Sequence, residues 1–149
     1  MALIIENLLK SAECDVGAVE VLVAVIGVAV SAITHYDSVD RARKLDTLNK
    51  FSAIREKFPN VNPKAKNPVD DDVRTEYLNV MERFCTGIEE NLYDLGVIRK
   101  TSGRMLVKQY KDYMGSFVAE KRGKSKTIPP EDLYCQYEAV IKKLKEKCE

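Results

Sequence analysis

Arg122-Gly123-Lys124-Ser125-Lys126-Thr127 ends as a phosphate-binding loop ends. Such a loop needs another glycine five residues before Gly123, where backbone amides wrap the phosphates, and a strand leading into it. Val118 stands at that position, and no strand pattern precedes it. Nucleotide hydrolysis is therefore excluded. What remains is a basic stretch, Lys121, Arg122, Lys124 and Lys126, whose charge suits the phosphates of anionic lipid headgroups and, less well, nucleic acid. A plainly solvated loop is the alternative.

Other chemistries fare no better. Cys14, Cys85, Cys135 and Cys148 show no C-x-x-C spacing, and His35 is the one histidine, so no zinc site can be written. Asp70, Asp71 and Asp72 are consecutive, and consecutive helical residues point to different faces, so they make a helix start rather than a metal cage. Glu82 lies half a helical turn around from Val73 and is expected on the solvent side. His35 and the cysteines give no nucleophile–base pair. Tyr77, Tyr93, Tyr110, Tyr113, Tyr134 and Tyr137 sit at helical spacing, as core residues do. No catalytic, cofactor-binding or metal-binding residue is expected.

The elements that carry these residues are helices. Val39, Ala42, Leu45, Leu48, Phe51, Ile54 and Phe58 recur every three or four positions and form an apolar stripe. Pro59, Pro63 and Pro68 end that helix in a loop, residues 59–69. Val73, Tyr77, Met81, Phe84 and Ile88 give the next helix, with Gly87 inside it. After a break near Tyr93, Asp94 or Ser102 caps a third helix bearing Leu106, Tyr110, Tyr113 or Met114, and Phe117. Leu133, Tyr137, Ile141, Leu144 and Cys148 give a last helix, opened by Pro129-Pro130. The reading is all-α: a bundle of three to four helices over residues 70–149, preceded by a helix over 37–58.

The first 36 residues are different. Val16 to Ile33 is an 18-residue run with ten Val, Ile or Leu and one acid, Glu20. A helix of that length spans roughly 27 Å, close to a bilayer's hydrocarbon core. The ten residues favour insertion by about 3 to 6 kcal/mol, against a cost of roughly 3 kcal/mol for a central carboxylate, less near the edge. A transmembrane helix over residues 16–36 is the expectation, with a short extracytoplasmic start at 1–15. In that start, Leu3-Ile4-Ile5 and Leu8-Leu9 would lie in the outer interface. A buried helix or hairpin of a soluble protein and a signal cleaved near Val30-Ser31-Ala32 are the competing readings; the leader carries Glu6, Glu13 and Asp15 beside Lys10, which disfavours a signal. Arg41, Arg43 and Lys44 follow the run, so the positive-inside rule places the rest of the chain in the cytoplasm. Gly27 and Ser31 form one small-xxx-small pair that would let a second helix approach.

Composition agrees with one anchor and one domain. The chain has 149 residues, 32% of them charged, too many for a protein that crosses a membrane repeatedly. Net charge is +1, but residues 1–94 carry 11 basic against 16 acidic side chains, and residues 95–149 carry 13 against 7. Scattered cysteines at apolar helix positions suit a reducing compartment.

The segment from Tyr77 to Tyr110, with Glu82-Arg83-Phe84, Gly87-Ile88, Tyr93-Asp94, Val97-Ile98 and Gly103, resembles an uncharacterised family of small bacterial proteins. The resemblance runs over about residues 16–120. It implies an N-terminal membrane helix with a cytoplasmic helical domain, placed in the inner membrane, and no known activity. Gly87 and Gly103 are expected to let helices approach across the Tyr93-Asp94 turn. Glu82, Arg83, Tyr93 and Asp94 are the polar candidates for an interaction site, with capping and ion pairing inside the bundle as their plain role. The expected function is a single-pass, membrane-anchored interaction protein with a protein partner or self-association. The alternative is a soluble or surface-bound module that holds anionic partners through its basic C-terminal part.

Overall fold

The computed structural model describes the backbone of residues 2–61 and 69–146, and side chains of Glu20 and from Val23 onward within those ranges. Leu3 to Leu9, Cys14, Pro63, Pro68 and Cys148, as side chains, lie outside the described residues, as does much of the apolar run at 16–22. The chain forms two compact units, residues 1–41 and 42–149.

The fold is all-α, with no strand among the described residues. Helix α1 runs Ala2–Lys57, so the backbone from Ala2 to the apolar run belongs to the same helix as that run. No Pro interrupts residues 1–58, and the helix ends just before Pro59. Within the first unit the described apolar side chains point in every direction. Val23, Val25, Ile26, Val28, Val30 and Ile33 are 53 to 71% exposed. Among the described residues, no helix is long and apolar enough to cross a membrane.

In the second unit the last turns of α1 and the residue that follows them bury Thr47, Phe51, Ile54 and Phe58. Their 4,3,4 spacing is one helical face. The stripe expected from sequence was broader, and the structure divides it: Val39, Leu45 and Leu48 lie on the exposed side. Helix α2 (Asp71–Glu89) starts where the three aspartates predict. Asp70 caps it by accepting the Asp72 N–H, and Asp71 and Asp72 sit in its first turn, at the positive end of the dipole. Tyr77, Leu78, Met81, Phe84, Cys85 and Ile88 form its buried face.

Helix α2 ends in a Schellman turn. Asn91 takes φ 60°, a conformation that asparagine tolerates. The Asn91 N–H donates to Ile88 O and the Leu92 N–H to Gly87 O at 2.8 Å. Helix α3 (Leu95–Gln109) passes into a π turn, Tyr110–Met114, and then α4 (Gly115–Lys124). The Gly115 N–H reaches back five residues to Tyr110 O, and a Cβ at Gly115 would sit 3.1 Å from that oxygen. Glycine there lets the wider turn close. Helix α5 (Cys135–Lys145) begins six residues after Pro129, later than the prolines suggest, because Tyr134 takes the left-handed conformation at φ 61°. It packs against α2 and α3, burying Tyr137, Val140, Ile141 and Leu144.

Gly87 and Gly103 have different neighbours. A Cβ on Gly87 would lie 2.6 Å from the Tyr93 ring, which itself stacks on Phe84 at 5.0 Å. The glycine makes room for an aromatic ring rather than for a helix backbone. A Cβ on Gly103 would meet Leu144 of α5 at 3.5 Å, ordinary contact. Gly87→Ala is therefore expected to lower stability by about 1–3 kcal/mol through overpacking, despite alanine's better helix propensity, while Gly103→Ala is close to neutral or stabilising. Urea unfolding followed by circular dichroism checks both; equal effects would contradict this packing.

Candidate functional site

Helix α5 has no capping side chain of its own, since Tyr134 makes no cap hydrogen bond. Its first free N–H groups are instead met from α2. The Glu82 carboxylate accepts the Gln136 N–H at 3.0 Å and the Tyr137 N–H at 2.8 Å, and the Cys135 Sγ lies 3.8 Å away. A carboxylate at a helix N-terminus satisfies orphan donors and complements the dipole. The side chain is half-buried, so the solvent-facing position expected for Glu82 is corrected. Helix-wheel reasoning placed it opposite Val73, but Val73 itself is 38% exposed in the first turn, and α5 covers the other flank.

The left-handed Tyr134 is held by its surroundings. Its ring is buried and its hydroxyl donates to Asn79 Oδ1 at 3.3 Å. Arg122 donates from Nε and Nη2 to Leu133 O at 3.0 and 2.8 Å and pairs with Glu138 at 2.7 Å. Tyr110, in the π turn, donates its hydroxyl to the same Glu138. The start of α5 is thus fastened from three sides.

A second corner joins α1 to α3. Asp94 is the N-cap of α3, accepting Gly96 N–H at 2.7 Å and Val97 N–H at 3.2 Å. Its own N–H donates to Thr47 Oγ1 at 2.8 Å, and Thr47 donates to Arg43 O at 2.7 Å. Thr47 is fully buried. Arg43 adds an ion pair to Asp94 at 3.8 Å. Of the two cap candidates, Asp94 is the one used; Ser102 is buried within α3. Arg83 is exposed on α2. Glu82 and Asp94 therefore cap separate helices, Tyr93 packs on Gly87, and these residues do not converge on one cleft.

The basic stretch is likewise dispersed. Arg122 is spent on Leu133 and Glu138, Lys124 pairs with Glu120 at 2.6 Å, and Lys121 sits 5.0 Å from the Phe117 ring. Lys126 is exposed. Of the other flanking cations, Arg41 pairs with Asp37 at 3.3 Å and Lys44 is also engaged. Asp70, Asp71 and Asp72 do not gather, and no metal-holding group occurs among the described residues. Glu89 bonds Lys143 on α5, and Glu90 is exposed at the end of α2. Gly27 and Ser31 lie on the exposed part of α1.

One polar network was not legible from the sequence. Tyr77 donates to Gln109 Oε1 at 2.9 Å, and Gln109 donates to Val61 O. All three residues are buried. Together they bind α2, α3 and the chain after α1. The fully buried Tyr137 hydroxyl lies beside Tyr77 without a well-aligned partner. Burial pushes Tyr77, Tyr137, Tyr110 and Tyr134 above the ordinary phenol range, with Glu138 adding to the effect at Tyr110 and Glu82 at Tyr134. Burial, then Glu82 and Glu89, pushes the Cys85 thiol up as well.

These contacts define an all-α bundle in which Glu82, Asp94 and Arg122 are occupied in capping and cross-linking helices. The chain belongs to the family described as Domain of unknown function (DUF4760), whose model matches residues 21–144. No curated protein and no solved structure matches it.

Two predictions follow from the geometry. Glu82→Ala is expected to cost about 1–3 kcal/mol and to speed amide exchange at Gln136 and Tyr137; unchanged protection there would show that the cap is not formed. The raised tyrosines act at alkaline pH. Above about pH 10 the unfolded chain releases phenolic protons that the native chain keeps, so stability is full below pH 10 and falls as pH rises. Denaturation midpoints between pH 8 and 11 (about, spanning the phenol range) read this, and Tyr137→Phe should flatten the decline.

Proposed function

We propose that the protein is a single-pass, membrane-anchored helical interaction module. In this reading residues 16–36 lie in the inner membrane of a bacterium, the N-terminus is outside, and residues 37–149 form a cytoplasmic bundle. The observation that carries it is the first unit of α1. Its described apolar side chains are exposed on all faces. A helix that is apolar all round is stable only inside a protein core or a bilayer. The apolar run extends to Val16, beyond the described side chains, and holds Glu20 near its outer end.

Orientation is supported by Arg41, Arg43 and Lys44, which count by position along the chain whether or not acids pair with them. Arg43 then does two things: it marks the inner flank and bonds the cap of α3. The role as an interaction module is supported by what the polar residues already do. Glu82, Asp94 and Arg122 are committed to holding helices together, which gives a rigid body to present a surface.

Fractionation of the full-length chain tests the anchor. The chain should sediment with membranes, resist extraction by high salt and carbonate, and be released by detergent. Recovery in the soluble fraction without detergent would reject it. A cysteine-labelling scan with a membrane-impermeant reagent should label the C-terminal region only after the membrane is opened; labelling from outside would reverse the orientation.

A further inference from the structure

We propose that a charged groove on the bundle is a self-association surface that takes a second copy of this chain. This names the partner of the interaction module above; it involves only residues 51–112 and holds whether or not α1 spans a membrane. The groove has a volume of about 770 Å³ and opens between the last turns of α1 and the end of α3 with its π turn. Phe51, Phe58 and Leu106 give it apolar walls, and Met105, 43% exposed, stands at its edge. Tyr77 and Gln109 close its floor and satisfy each other there, so the floor asks for no polar ligand.

The lips are what point to the occupant. Arg55 and Glu56 stand on the α1 lip, and Lys108 and Asp112 on the opposite lip, all exposed. Among the described residues none of the four forms an ion pair, although other surface charges of the bundle do, as in Lys57–Glu76 and Lys143–Glu89. Across the groove, neither Arg55 with Asp112 nor Glu56 with Lys108 forms an ion pair within the chain. Each lip carries one cation and one anion, so a partner of strong single-sign charge gains nothing. A second copy related by a two-fold axis gains twice. Its Lys108 and Asp112 face Glu56 and Arg55 here, and the reverse pair forms on the other side of the axis. The exposed Met105 supplies the apolar contact between the lips.

The test is a charge swap on the full chain in mild detergent, read by sedimentation equilibrium. One variant carries Arg55→Glu with Glu56→Arg, the other Lys108→Glu with Asp112→Lys. Both keep net charge and change only exposed residues. Wild type should self-associate, more weakly as salt rises. Each variant alone should dissociate about tenfold more readily, since like charges then face each other. An equimolar mixture of the two should recover dimer, because every reversed lip meets its reversed complement. A wild-type chain that stays monomeric, or that binds only a foreign protein, overturns the proposal. So does a dimer indifferent to both variants, which would place the contact elsewhere, such as along α1. A mixture that fails to recover overturns it too. None of these outcomes bears on fractionation, so failure here is separable from failure of the anchor.

Discussion

The bundle depends on a carboxylate that crosses from one helix to cap another. Helix α5 begins at a tyrosine whose backbone is in the left-handed region, a conformation that costs about 1–2 kcal/mol for a side chain of this kind. Nothing in its own sequence satisfies its leading amides. Glu82 does so from α2, and with Arg122 on Leu133 O and Asn79 on the Tyr134 hydroxyl it offsets the strain. Removing Glu82 would leave a helix start without partners beside a strained residue. Glu82 thus ties the start of α5 to α2, and the buried faces of both helices, Leu78 and Cys85 on one and Tyr137 and Ile141 on the other, belong to one apolar core.

The same logic governs the other end. Thr47 of α1 receives the Asp94 N–H while Asp94 caps α3. Phe51 lies on Phe84 at 5.7 Å, Phe84 on Tyr93, and Tyr93 on Gly87. The Thr47–Asp94 and Phe51–Phe84 contacts join residues far apart in sequence, and Tyr93 closes on Phe84 and Gly87 across the turn that follows α2. Helix propensity alone would leave α3 and α5 marginal, at fifteen and eleven residues. Glu82 caps α5 from α2, and Thr47 on α1 anchors the locally capped start of α3.

That division explains what was readable. The buried positions Tyr77, Met81, Phe84 and Ile88 stand out by spacing, as do Tyr137, Ile141 and Leu144, because burial repeats with the helical period. The cap at Asp94 was legible because it is local. The roles of Glu82, Arg122, Thr47 and Gln109 were not, since their partners lie 11 to 55 residues away and no periodicity marks them. The basic stretch has the same limit: sequence shows a run of charges, but not that Arg122 is turned inward to a carbonyl. The stripe on α1 looked uniform because Leu45 and Leu48 fit the period as well as Phe51 and Ile54 do.

The π turn at Tyr110–Met114 has a consequence for how this chain tolerates change in length. A π turn is an α-helix with one residue too many, and here it sits between α3 and α4. Loss of a single residue in this stretch would restore the ordinary repeat without breaking the helix. The faces on either side would keep their phase, because the wide turn absorbs the extra residue within itself. Phe117 and Val118 would stay turned to the core, and Arg122 would stay within reach of Leu133 O. The wide turn thus works as a slack loop inside a rod, a place where length can change by one while both ends keep their aim.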